Sequence, residues 1–469
     1  MSPSSAAAPG TAPLPRLLRR TVVIVAALVG AAAPPAAGQV SVQSMIGRAV
    51  SDDTHNDAVT SAIARFRERD IDGARVILER IRSEDPKLPP SGVMKATLWL
   101  SVNQVGPARM ELDRTASVEP DDPEAYLVLA DLAFQERRVT DSAVLFDRAS
   151  ELTATFEGNS KRKRDFLIRC HAGEAAVDEA RERWDDALGE IQKWVDIDPD
   201  SASARQRMGT VLFRLGRVGE ALENFREAKK LDPTLRQPEL MLASLHDQAK
   251  QPEEARTLVQ EAVKAAGDDI AVRINAANWF LVHGDTEAAR ENAAAALEID
   301  AKSLDARLVM GTIARVTRDF ETAKQCFEDA HTQSPRNYAA SDSLALVLAE
   351  SEAKDDLQRA LELAETNFAM VKENQQLQIA AASTLAWVYY KNGRMADAER
   401  ILTQIAQNNA LTADSAYYVA RILVDKGDKP QAKRILEQVM ANDPVFANRG
   451  FAEELLDSLG DVTAGDGGQ

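Results

Sequence analysis

Alanine returns at a fixed interval along this chain. Ala187, Ala221, Ala255, Ala289 and Ala323 stand 34 residues apart, Ala74 and Ala108 keep the same step, and Ser142 continues it. After two slightly longer steps, Ala360, Ala398 and Ala432 restore it. A period of this size predicts stacked helix-turn-helix units, each able to bury its apolar face only against a neighbour. Such a stack grows by adding units, so the 469 residues are expected to form one elongated body rather than several domains.

Residues 202–337 repeat four times without a gap. In the first of these units Met208, Val211, Leu212 and Leu215 fall at i, i+3, i+4 and i+7, one face of a helix. Gly216 can take the left-handed turn that ends it. Ala221, Leu222, Phe225, Ala228 and Leu231 mark a second helical stripe, closed by Asp232-Pro233, where proline removes a backbone donor and disfavours helix at the residue before it. Gly209 and Ala221 are expected where the two helices cross most closely, with Phe225 beside the crossing; a larger side chain there would wedge the helices apart at a cost on the order of 1–3 kcal/mol. Ala243 with Ala255, Ala277 with Ala289, and Gly311 with Ala323 and Phe327 hold the same places.

This pattern resembles the tetratricopeptide repeat family, whose 34-residue unit has small residues at places 8, 20 and 27, a large one at 24 and proline at 32. Places 20, 24, 27 and 32 fall on Ala221, Phe225, Ala228 and Pro233, and again on Ala323, Phe327, Ala330 and Pro335. Pro86, Pro120, Pro199 and Pro444 hold the closing place elsewhere, and glycine recurs at the turn as Gly216, Gly284, Gly393 and Gly427. The likeness runs from His55 to Phe446. It implies an all-α fold, a right-handed α-solenoid of about eleven stacked helix-turn-helix repeats, with Ala447–Leu459 as a C-terminal capping helix. In that helix Phe451, Leu455, Leu456 and Leu459 face one way and Glu453, Glu454 and Asp457 another.

The register breaks are expected to be structural. Between Ser142 and Ala187 the step lengthens by eleven residues, through Gly158-Asn159-Ser160 and the basic run Lys161, Arg162, Lys163 and Arg164. An insertion near 154–167 is expected as a longer loop or an extended first helix, its charges a solvated loop; the sharper alternative is an anchor for an acidic partner. Glu352–Asp356 and Phe368–Gln378 add three and four residues and should change the local stacking angle without breaking the stack.

At the N-terminus Arg16, Arg19 and Arg20 precede thirteen apolar or small residues, Thr21 to Ala33; Pro34-Pro35 and Ala36-Ala37-Gly38 follow. This is the pattern of a secretory signal peptide over 1–38, and the run is shorter than the ~20 residues of a membrane span. Export to the periplasm or the extracellular space is expected, with inner-membrane anchoring by an uncleaved segment as the alternative and no stable span after cleavage. Residues 39–54 read as a flexible lead-in, 55–459 as the repeat body and 460–469 as a disordered tail.

Composition narrows the function classes. Lys and Arg number 56 against 73 Asp and Glu, a net charge of −17, which argues against nucleic acid as partner because phosphate binding needs a basic stripe. Cys170 and Cys326 lie about four repeats apart, too far for a disulfide, and read as small buried apolar residues. His55, His171, His246, His283 and His331 are scattered without metal-ligand spacing, and Cys170-His171 point about 100° apart on a helix. There is no Gly-rich phosphate loop and no nucleophile elbow. The chain therefore reads as a non-enzymatic scaffold for protein partners, without catalytic, cofactor or metal residues.

In the family the first helix of each unit lines the concave face, with places 2, 5, 9 and 12 pointing into the groove. Place 5 falls on Val59, Val93, Leu127, Leu240, Ile274 and Leu308. Places 9 and 12 fall on Trp387 and Tyr390 near the C-terminus, and the next unit adds Tyr417 and Arg421. Asn278 holds a place 9, but Ile274 stands where the carboxylate-clamp members of the family carry lysine, so that clamp is not expected. The resemblance thus implies a groove holding a peptide segment of a partner, through Leu240, Ile274, Asn278, Leu308, Trp387, Tyr390, Tyr417 and Arg421, unless these residues simply pack between helices. The alternatives are an envelope-complex component contacting partners by its convex face, or a substrate-binding arm of an envelope assembly or processing machine. The oligomeric state is left open by the sequence.

Overall fold

The computed structural model describes residues 55–372, 374–408, 411–442 and 446–460. The expected signal peptide, the lead-in, the tail beyond Gly460 and the closing Pro444 lie outside the described residues. Among those described, the regular elements are α-helices and no strand occurs.

The chain divides into two compact units at residues 265/266. The first holds six hairpins: α1 (Asn56–Arg67) with α2 (Ile71–Glu84), α3 (Ser91–Ser101) with α4 (Val105–Val118), α5 (Pro123–Gln135) with α6 (Val139–Thr155), α7 (Ser160–Ala180) with α8 (Trp184–Ile197), α9 (Ala202–Arg214) with α10 (Val218–Leu231), and α11 (Pro238–Gln248) with α12 (Pro252–Ala265). The second holds five: α13 (Ile270–Val282) with α14 (Thr286–Ile299), α15 (Leu304–Val316) with α16 (Phe320–Gln333), α17 (Tyr338–Leu348) with α18 (Lys354–Met370), α19 (Gln375–Lys391) with α20 (Met395–Gln407), and α21 (Ala413–Asp425) with α22 (Lys429–Asn442). A single helix, α23 (Arg449–Leu459), follows. Eleven hairpins and a terminal helix are the expected count. In the second unit first helices of successive hairpins touch one another, as α19 touches α21, and in the first unit α5 touches α7.

Each hairpin is held by local chemistry that repeats. Most first helices begin on side-chain caps, α1, α3 and α11 being the exceptions: Asp122 accepts from the Glu124 N–H, Ser201 from Ala204, Ser303 from Ala306 and Asn337 from Ala340. All first helices except α17 end in a left-handed residue, closed by an N–H reaching back five residues: Arg217 to the Leu212 carbonyl, Arg183 to Asp178, Asp319 to Ala314. Glycine marks this turn at Gly216, Gly284, Gly393 and Gly427, but Arg69, Asn103, Arg137, Glu182, Lys250 and Arg318 adopt the same positive φ. At those six the backbone hydrogen bonds of the turn impose what glycine would accept freely.

The helix crossing obeys a volume rule. A Cβ built on Gly209 would stand 2.7 Å from the Phe225 ring, and one on Gly311 would stand 2.7 Å from Phe327. Where alanine holds place 8, the residue at place 24 is smaller: Ala243 with Val259, Ala277 with Ala293, Ala386 with Leu402, all buried. Phe146 breaks the rule within its own hairpin, where place 8 is Ala130; its ring instead lies over Gly173 of α7, 2.2 Å from where a Cβ would sit. Ser142, the one polar member of the alanine series, is fully buried and its hydroxyl donates to the Ala130 carbonyl at 3.0 Å, which offsets the loss of water.

The long step lengthens helices. α6 has 17 residues and α7 has 21. The basic run forms the first turn of α7, capped by Asn159, so the solvated-loop expectation is corrected. Arg162 is 5% exposed and donates to Glu124 at 2.6 Å, Asp122 at 3.1 Å and the Leu88 carbonyl at 3.3 Å. Phe156 and Phe166 flank its guanidinium. Lys163 donates to the Ala154 carbonyl and Arg164 to Asp198. A helix is favoured here because intramolecular acceptors replace water for three of the four cations. The smaller extensions are likewise absorbed in helices, α18 and α19 having 17 residues each. Cys170 is buried, its thiol pushed up to about 11 by that burial, whereas Cys326 is only partly buried, a correction to the expectation for both.

Candidate partner-binding face

The place-5 residues mostly serve packing. Leu240 and Leu308 are 3% and 2% exposed, and Val59, Val93 and Leu127 are also buried; Ile274 alone of this set is partly exposed. Two turns of a first helix must pack both on their own hairpin and on the neighbouring first helix, and this position falls in that seam. Asn278 is 5% exposed, with its amide nitrogen buried and unpartnered. Two units further on, the same place 5 is Asp342, whose carboxylate accepts from Thr384 at 3.0 Å; burial raises it to about 6.

The C-terminal aromatics do converge. Trp387 stacks on Tyr390 at 5.0 Å and on Tyr418 at 4.4 Å between centroids, and stands 5.7 Å from Tyr417. Trp387 and Tyr417 are nevertheless buried, so they form the floor of this face rather than its surface. The indole N–H donates to Glu350 at 2.7 Å, and Lys391 donates to the other oxygen of the same carboxylate at 3.0 Å. Burial pushes the Tyr417 and Tyr418 hydroxyls up. The partly exposed members are Tyr390 and Arg421. The Tyr390 hydroxyl donates to Asp425 at 2.6 Å and accepts from the Arg421 Nε at 3.1 Å. This aligned polar edge over an aromatic floor is the kind of composition binding hot spots use.

One occupant of this face belongs to the chain itself. α23 packs Ala452, Leu455 and Leu459 into the core of the C-terminal unit. Asn448, just before it, donates to Asp414 and to the Tyr418 hydroxyl of α21, at 2.5 and 3.1 Å. Phe451 stacks between Tyr417 at 6.3 Å and Phe320 at 6.1 Å, with the Arg318 guanidinium 4.2 Å from its centroid. Arg318 also pairs with Glu454 at 2.6 Å, across 136 residues of sequence. The helix therefore reaches from α21 to the turn between α15 and α16. Place arithmetic could not find Arg318, Phe320, Tyr418 or Glu350, because it aligns residues within repeats and says nothing of which repeats meet.

On α7 and α8, His171, Glu174 and Glu190 also converge. The His171 Nδ1 lies 2.8 Å from Glu190 and 3.6 Å from Glu174. Hydrogen bonds to Glu174 and Glu190 hold the imidazole above its ordinary value; burial, together with the nearby Glu190 carboxylate, raises Glu174. The sequence showed His171 and Glu174 one helical turn apart, but Glu190 joins them only once the hairpin closes. Two open clefts of about 620 and about 360 Å³ lie elsewhere, the first lined by Pro120, Asp122 and Phe156, the second by His331, Ser341, Arg359 and Asn367.

Repeated hairpins with a small-residue crossing define a class of interaction repeat. Sequence models of the tetratricopeptide repeat match residues 212–274 in one form and residues 94–155, 172–235 and 383–445 in another. The chain is a tetratricopeptide-repeat protein. No curated protein matches it in sequence. Among solved structures, a tetratricopeptide repeat protein from Parabacteroides merdae is 14% identical, with 55% of this chain and 98% of that one covered at a TM-score of 0.42. Yeast Tom70 is 14% identical, with 86% and 95% covered at a TM-score of 0.36. YrrB, described as a repeat protein with an unusual peptide-binding site, is 16% identical, with 41% and 96% covered at a TM-score of 0.29. No helix among the described residues is long and apolar enough to cross a membrane.

Proposed function

We propose that this protein is an exported, non-enzymatic scaffold whose C-terminal unit takes an amphipathic helix of a protein partner on its first-helix face. The observation that carries this reading is α23: an apolar helix with an acidic edge lies on that face, with Phe451 among Tyr417, Phe320 and Arg318 and Glu454 on Arg318. A face that accepts one such helix has the chemistry for another, read as i, i+3, i+4 anchors with an acidic partner for Arg318. Export rests on the leader pattern around Arg16 to Ala37. Trp387 and Tyr417 support the floor, while Tyr390 and Arg421 offer contact at its rim; substituting the first two would disturb the core.

The test uses the chain ending at residue 442 and a labelled peptide of residues 446–460. Binding in the micromolar range is expected, lost with Phe451→Ala in the peptide. Arg318→Glu in the chain should weaken binding at least about tenfold, and Glu454→Arg in the peptide should restore it. A peptide that does not bind, or that binds equally to the Arg318→Glu chain, overturns the reading. In the full chain, Tyr390→Ala with Arg421→Ala should lower partner capture at unchanged helicity.

A further inference from the structure

We propose that His171, Glu174 and Glu190 form a site for one divalent cation of the zinc class, clamping the hairpin α7–α8. Each residue offers one ligand atom, and the three atoms all lie within 4.8 Å of one another. Zinc takes imidazole nitrogen and carboxylate oxygen at about 2.0–2.2 Å in a tetrahedron, which sets donors roughly 3.4 Å apart. The measured separations from Nδ1, 2.8 Å to Glu190 and 3.6 Å to Glu174, fall on either side of that value. Small rotamer adjustments would therefore suffice.

The arrangement is also rigid and accessible. His171 and Glu174 stand at i and i+3 on the 21-residue α7, so both project from one face. Glu190 comes from α8, with Ala187 and Ile191 on either side of it fully buried in the hairpin. The three side chains are 15%, 21% and 18% exposed, which leaves room for a water as fourth ligand.

Charge points the same way. Glu174 and Glu190 face each other in a half-buried seam, an arrangement that repels unless a cation or a proton stands between them. Lys193 is the charged neighbour of this group, and its ammonium sits 2.7 Å from Oε1 of Glu190, leaving Oε2 turned to His171. The amine thus holds the outer oxygen while the inner one faces the site. With a neutral imidazole, two carboxylates and one ammonium, the local net charge is −1, which attracts a hard or borderline dication. Histidine among the donors favours zinc or cobalt over calcium and magnesium.

The experiment titrates the full chain, first stripped with chelator, with ZnCl₂ by calorimetry and with CoCl₂ by visible absorption. One equivalent is expected to bind, with the intense visible band of four-coordinate cobalt and a rise in melting temperature under saturating zinc. His171→Gln and Glu174→Gln should each weaken binding at least about tenfold, with unchanged circular dichroism. Lys193→Met should not weaken it, since the amine is no ligand. Absence of binding at millimolar zinc overturns the proposal. So does an affinity that survives both ligand substitutions, which would mean surface carboxylates only. If His171→Gln does not fold, Glu174→Gln decides, because it keeps the side chain's size and loses only its charge.

Discussion

Arg162 concentrates at one side chain what the surrounding hairpins need. Its guanidinium is withdrawn from water and bonded to Asp122, Glu124 and the Leu88 carbonyl, which belong to segments 38 to 74 residues away in sequence. Removing one partner of a buried ionic group leaves uncompensated charge, at about 3–5 kcal/mol. Arg162→Ala should lose that much stability in urea unfolding, and Asp122→Asn with Glu124→Gln in the same chain should recover part of it. Asp342 makes the opposite case, a carboxyl raised from 3.8 to about 6 by burial. A raised acid favours the protonated folded state, so its contribution is fully present below pH ~4 and is lost as pH rises through 6. Relative to Asp342→Asn, the native chain should lose roughly 1–3 kcal/mol between pH 4 and 7, measured as the difference between the two unfolding curves. Neither role was legible in the sequence. Arg162 read as one charge in a basic run, and Asp342 occupied a place where the three preceding repeats carry leucine or isoleucine.

Within a hairpin, far more was legible. Period, crossing residues, closing prolines and four of the left-handed turns were all visible, because each is set by neighbours a few residues away. The pairing of Gly209 with Phe225 and Gly311 with Phe327, against Ala243 with Val259, was also present in the sequence as a volume compensation. Gly209→Ala should destabilise by about 1–2 kcal/mol through overpacking against the ring, net of alanine's better helix propensity. Gly209→Ala combined with Phe225→Leu should cost less than the sum of the single changes. A double-mutant cycle giving no coupling would show that the two sites are independent. Six turn positions escaped notice because Arg69, Asn103, Arg137, Glu182, Lys250 and Arg318 are not glycine. There a hydrogen bond five residues long, not side-chain identity, decides the backbone.

Across the molecule, the sequence determined that the chain is helical, how many hairpins it has, and that a terminal helix follows. All of these follow from periodicity and local capping, which act over one or two turns and repeat on a register of 34 residues. Tertiary structure alone decided that Trp387 and Tyr417 lie under the surface while Tyr390 and Arg421 reach it, that Arg318 meets Glu454, and that Glu190 joins His171 and Glu174. The physical reason is separation along the chain. A side chain's partner within a repeat is given by helical geometry, but its partner in another helix depends on how hairpins stack, and that angle is the sum of many small packing terms that no single residue carries.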